Sequence, residues 1–148
     1  MSLQDEVMEK MKEAMKSKDV VALESLRALK SAFLLEKTSG SNVQLSDADE
    51  IRIVQKLVKQ RKDSAVIFAQ QGRQDLAEPE LAQATVLEQF LPAQMSEEEL
   101  RNAIAAIVEK TGASSMKDMG KVMGIASKEL AGKADGKAIS AAVKQFLS

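Results

Sequence analysis

The sequence predicts an all-α protein, and three observations predict it. Apolar residues recur every three or four positions along almost the whole chain, the spacing that lines one face of a helix. Several of these runs are preceded by Ser or Asp with an acid three residues later, the arrangement that caps a helix start. Alternation of β-branched residues, the mark of a half-buried strand, is almost absent.

The first helix is expected over about Leu3–Lys16, with Leu3, Val7, Met11, Ala14 and Met15 on one face. Asp19 can cap a second, whose apolar stripe includes Leu23, Leu26, Phe33 and Leu34. Thr38-Ser39-Gly40-Ser41-Asn42 reads as a loop. Ser46 with Asp49 forms a capping box that opens a long third helix through Ile51, Val54, Leu57, Val58, Ala65 and Phe68, stopping near Gly72. Asp75 with Glu78 marks a fourth start, running toward Phe90. Pro79 lies inside it, cheaply if that start is right and less so if the helix begins earlier.

Leu91-Pro92 is the clearest break. Beyond it, Ser96 with Glu99 caps a fifth helix that carries Leu100, Ile104, Ile107 and Val108 and ends at Gly112. Ser115 with Asp118 starts a sixth that ends near Gly132, and Asp135 caps a seventh that is expected to bury Ile139, Val143, Phe146 and Leu147. The expected organisation is a four-helix part over residues 1–92 and a three-helix part over 93–148, hinged near Pro92. A three-helix unit of that size buries little core and should be only marginally stable alone.

Composition excludes more than it identifies. The 148 residues are 45% apolar and 29% charged, the balance of a folded globular chain. With no Cys there is no disulfide, thiolate metal site or thiol nucleophile. With no His, the usual general base and the commonest metal ligand are gone. No pattern for binding a cofactor or a metal is present. No apolar run reaches the roughly 20 residues of a membrane span. The acidic start Met1-Ser2-Leu3-Gln4-Asp5-Glu6 is unlike the basic opening of a secretory signal. Cytoplasm is the expected location.

Net charge is −1, too balanced for a general nucleic-acid coat, but the charge is uneven. From Lys110 onward seven Lys face only Asp118, Glu129 and Asp135, a local surplus of +4. In the sixth helix Lys117, Lys121 and Lys128 fall within about 40° of one another at 100° per residue. Gly120 and Gly124 flank this ridge, and Met116, Met119, Met123, Ala126 and Leu130 take the opposite side. One reading is a phosphate-binding ridge aided by the helix start at Ser115. The other is a solvated lysine face with glycines for tight helix packing. A second basic surface comprises Arg52, Lys56, Lys59 and Lys62 on the polar side of the third helix, with Arg61, Arg27 and Lys30 near apolar stripes. These cations either pair with carboxylates and snorkel, or share an anion-binding groove. The methionines read as core filler.

Two strings imitate a catalytic site. Ser114-Ser115-Met116-Lys117 fits S-x-x-K and Lys110-Thr111-Gly112 fits K-T-G, both elements of penicillin-recognising serine enzymes. Here their order is reversed, they nearly abut, and the intervening Ser-Asp-Asn is missing. The Ser-Ser-Lys arrangement of amidases fails too, because no Gly- and Ser-rich loop is present to form an oxyanion hole. The plainer reading has Gly112 ending one helix and Ser115 capping the next.

A family resemblance is carried by Leu57-Val58-Lys59-Gln60-Arg61-Lys62-Asp63-Ser64, Gly72-Arg73-Gln74-Asp75-Leu76-Ala77 and Leu91-Pro92. It continues through Gly112-Ala113-Ser114-Ser115-Met116-Lys117-Asp118-Met119-Gly120-Lys121-Val122-Met123-Gly124 and Gly132-Lys133-Ala134-Asp135-Gly136. In these residues the chain resembles the YqeY family. It departs from the pattern at Pro79, over Leu81 to Thr85, and around Gly40 to Val43. The last third also resembles the tail domain of GatB, the B subunit of the glutamine-dependent aminoacyl-tRNA amidotransferase, through Gly120-Lys121-Val122-Met123 and Gly132-Lys133-Ala134. That resemblance implies a non-catalytic tRNA-binding module, with RNA contacts expected at Lys117, Lys121, Lys128, Lys133 and Lys137. It implies a synthetase or amidotransferase subunit as a protein partner. The family label of carbon–nitrogen ligase with glutamine as amide donor follows the whole amidotransferase, so such activity is expected only with partner subunits. A protein-interaction adaptor that binds no RNA is the alternative.

Overall fold

A computed structural model describes residues 2–39 and 44–148, and the described residues are helical without a strand. The order is α1 (Leu3–Ser17), α2 (Val20–Ser39), α3 (Asp47–Gln70), α4 (Gln74–Glu88), α5 (Glu97–Thr111), a 3-10 turn (Met116–Asp118), α6 (Met119–Glu129) and α7 (Gly136–Leu147). The chain divides into two compact units, Met1–Leu91 and Pro92–Ser148. Each has its own apolar core. In the first, α2 packs on α1 and α4, and α3 lies along α4, around Val7, Leu26, Leu29, Phe33, Val54 and Leu87. In the second, α5, α6 and α7 enclose Leu100, Ile104, Val122, Ala126, Ile139 and Val143, with Leu147 beside them, while Phe146 stays outside this core and is 38% exposed.

The helix starts follow from the sequence. Ser46 and Ser96 each accept the backbone N–H of the residue three on, while Asp49 and Glu99 reach back to the cap's own N–H. Ser2 and Asp5 do the same at α1, where periodicity alone gives no cap. Asp19 takes the N–H of Ala22 and Asp135 that of Ala138. Helix ends follow as well. Gly72 and Gly112 stand at φ of +73° and +70°, the left-handed region that glycine enters freely.

Three expectations need correction. Thr38 and Ser39 belong to α2, because their hydroxyls bond back to the carbonyls of Leu34, Leu35 and Glu36 and the helix carries on under them. The rest of that expected loop, 40–42, lies outside the described residues. The fourth helix begins at Gln74 rather than with an Asp75 cap. Arg73 draws the Asp75 carboxylate into a two-point bond at 3.0 and 2.9 Å, and no side chain caps the helix. Pro79 therefore lies beyond the first turn and cannot donate to the Asp75 carbonyl. The sixth helix does not open as an α-helix at Ser115. Ser115 caps the three-residue 3-10 turn instead, and Asp118 accepts from the Ser114 N–H.

Glu50, in the first turn of α3, is 3% exposed, and its Oε2 has no partner among the described residues. Burial pushes its carboxyl above the ordinary glutamate value. Hydrogen bonding to Gln4 opposes the rise, nearby Asp47 adds to it and Lys37 counters it. A raised acid leaves no penalty below the unfolded-state pKa, where both states are protonated. The penalty grows as pH climbs and is complete above the folded-state value. Glu50→Gln should therefore melt higher than the parent at pH 7, with the gap closing toward pH 4. Thermal melts at the two pH values check this, and an unchanging gap would count against a buried charge.

Candidate nucleic-acid interface

The C-terminal unit presents its lysines outward. Val122 and Ala126 turn α6 inward, and Leu130 in the turn just beyond it joins the same core. Lys121 and Lys128 are therefore left on the solvent side, about 20° apart around the helix. Lys117 is also exposed but stands off the ridge. Residues 116–118 wind as 3-10, at roughly 120° per residue, so Lys117 moves to about 80° from Lys121 instead of the expected 40°. Lys133 lies in the turn after α6 and Lys137 in the first turn of α7, and both are exposed. The Lys133 turn is built firmly. Its carbonyl accepts the Met95 N–H at 2.9 Å, and the neighbouring Gly132 carbonyl accepts the Gln94 amide at 2.6 Å.

None of these five lysines has an ion pair among the described residues. All six ion pairs there lie in the first unit. Beside the ridge, Gly120 and Gly124 are exposed, and a Cβ on either would meet nothing within 4 Å. The glycines therefore do not serve tight packing inside the chain. What remains is a strip of bare helix backbone edged by unpaired cations.

The helix start contributes less than expected. Ser115 Oγ already accepts the Lys117 N–H at 3.4 Å, and Asp118 at the start of α6 places a carboxylate where a phosphate would come. Ser115 is thus committed to capping the turn, and the Ser114 backbone N–H donates to the Asp118 carboxylate at 3.0 Å. Among the described residues, no three acids converge as a metal site and no helix is long and apolar enough to cross a membrane.

The second basic surface is largely committed to the fold. Arg52 pairs with Glu36 at 2.8 Å, Lys59 with Asp63 at 2.7 Å and Lys62 with Glu88 at 3.0 Å. Arg61 is half-buried and donates to the Gln83 side chain and the Leu57 carbonyl. Arg27, Lys30 and Lys56 are exposed without an ion pair among the described residues.

The sequence profile of the Yqey-like protein family matches residues 4–147. An uncharacterized protein of Schizosaccharomyces pombe is 33% identical over 95 residues, which cover 64% of this chain and 76% of that protein.

Proposed function

The chain belongs to the YqeY family, and from that premise we propose that it is a non-catalytic accessory protein that docks the tRNA backbone through its C-terminal helices. One observation carries the reading. Lys121 and Lys128 border a stretch of helix where Gly120 and Gly124 leave the backbone uncovered and the cations unpaired. Cations without internal partners release counterions when they meet phosphate, and they pay nothing to break an existing pair. Bare helix backbone lets a sugar–phosphate chain come closer than any side chain would allow. Lys133 and Lys137 follow the end of α6, and Lys117 precedes it, to one side of the ridge.

Contacts of this kind read the shape of an RNA helix, not its sequence. A structured RNA is thus the expected ligand, and the resemblance to the amidotransferase tail narrows it to tRNA. The ridge is local. The C-terminal unit holds eight Lys and Arg against seven Asp and Glu, so affinity should be moderate and steeply salt-dependent.

Filter retention of bulk tRNA across a salt series tests the proposal. Lys121→Ala with Lys133→Ala should weaken binding at every salt concentration and make the log–log salt slope shallower by about 1.8, the share of two phosphate contacts on a double helix. Retention that is absent at low salt, or indifferent to both substitutions, would leave the adaptor reading in its place.

A further inference from the structure

The first unit has a feature that RNA binding does not use. A slot lies between α1 and α2, with buried Val7 and Phe33 on its floor and Met8 and Leu34 as lips, 40% and 61% exposed. Its volume is about 180 Å³. An apolar cavity of about 150 Å³ holds a benzene ring, so the slot takes one large apolar side chain.

Charge surrounds the slot in a defined way. Lys30 and Lys37 stand at its rim, on either side of Leu34 along α2. Arg27 continues the same stripe, since positions 27, 30, 34 and 37 repeat at alternating steps of three and four. None of the three has an ion pair among the described residues. Lys37 is held by a bond to the neutral amide oxygen of Gln4. Glu6 and Glu9 of α1 line a separate hollow with Lys10 and Phe90.

We infer that this slot is a docking site for a helical segment of a partner protein that carries one large apolar residue flanked, on the same face, by Asp or Glu. Charge complementarity selects the acidic flanks. The spacing selects the helix. Lys30 and Lys37 are seven residues apart, about 10.5 Å along α2, and acids one turn before and after an anchor span a similar length. Polyanionic RNA fits poorly here. Residues 1–91 carry 15 Asp and Glu against 13 Lys and Arg, and Phe33 is too deep to stack on a base. A membrane surface fits no better, since it needs a broad apolar face rather than one slot.

The test is selection of a random-peptide phage library on the full chain, with counter-selection on the Lys30→Glu/Leu34→Ser double variant. Both side chains are exposed, so the variant should keep its circular dichroism spectrum and melting curve. Lys37 is left alone because it also holds Gln4. The expected consensus has a Leu, Ile, Phe or Met with acids three or four positions to either side. The synthetic consensus peptide should bind Lys30→Glu at least tenfold more weakly than the parent. A peptide with Lys in place of its acids should reverse that order. No enrichment, or a consensus without acids, would overturn the inference. So would tRNA retention that falls in the double variant as it falls in Lys121→Ala/Lys133→Ala, because the slot would then belong to the RNA surface.

Discussion

Ile104→Ala is expected to unfold the C-terminal unit while leaving the first unit folded. Ile104 lies in α5 with 0% exposure and belongs to the core that α5 shares with α6 and α7. Removing three carbons from such a site costs about 2–5 kcal/mol, through lost burial and through the void left behind. A unit of this size has only a few kcal/mol in total, so one substitution consumes most of its stability. The first unit keeps Leu26, Leu29, Val54 and Leu87, none of which belongs to the cluster around Ile104. With no Trp or Tyr in the chain there is no local optical probe. Hydrogen exchange read by mass spectrometry serves instead. Amides of α5, α6 and α7 should lose protection while those of α2 and α3 keep theirs. Simultaneous loss in both units would mean that the chain unfolds as one cooperative body.

How legible the fold was depended on how local each signal is. A capping box closes within three residues, so Ser46–Asp49 and Ser96–Glu99 could be read from the sequence and are present. The ends at Gly72 and Gly112 rest on one residue's freedom to take positive φ. Where a nearby group competes, a local signal misplaces the helix boundary. Arg73 takes the carboxylate that would have capped from Asp75, and Thr38 and Ser39 satisfy their hydroxyls inside the helix instead of ending it. The Met116–Asp118 turn shows why face assignments at helix ends are fragile. A change of winding over three residues moves Lys117 off a ridge that uniform α-helical spacing had put it on.

The candidate site was legible in its residue types but not in their partners. Lys121 and Lys62 look alike in the sequence, both on polar helix faces. One has no ion pair among the described residues, and the other meets Glu88, 26 residues away. Arg61 likewise bonds to Gln83 across two helices. Such pairings arise from packing, which sequence spacing within one helix does not carry. The burial of Glu50 had no signal either. Its position in a first turn is that of an ordinary dipole-complementing acid, and its bond to Gln4 and the nearness of Lys37 come from elements distant in sequence.

Gly120→Ala with Gly124→Ala should separate stability from binding. Gly124 is interior to α6 and Gly120 is the second residue of its first turn, and the added methyls would meet nothing within 4 Å. Alanine favours a helix interior over glycine by about 0.8–1.0 kcal/mol, in full at Gly124 and in part at the first-turn Gly120, so the double variant should gain about 1 kcal/mol. A chain that needs those glycines for nothing would forgo that gain. On the RNA-docking proposal, the methyls stand where the sugar–phosphate chain comes close to bare backbone. tRNA affinity should then fall by roughly tenfold, about 1.4 kcal/mol, although Lys121 and Lys128 are untouched. The salt slope should stay near that of the parent, because no cation has been removed. That distinguishes a steric loss from the shallower slope of Lys121→Ala/Lys133→Ala. Melting curves and the same tRNA retention series measure both effects. A variant that is more stable and binds as well as the parent would show that the open glycine strip is not where RNA lies, and would confine the contact to the lysines.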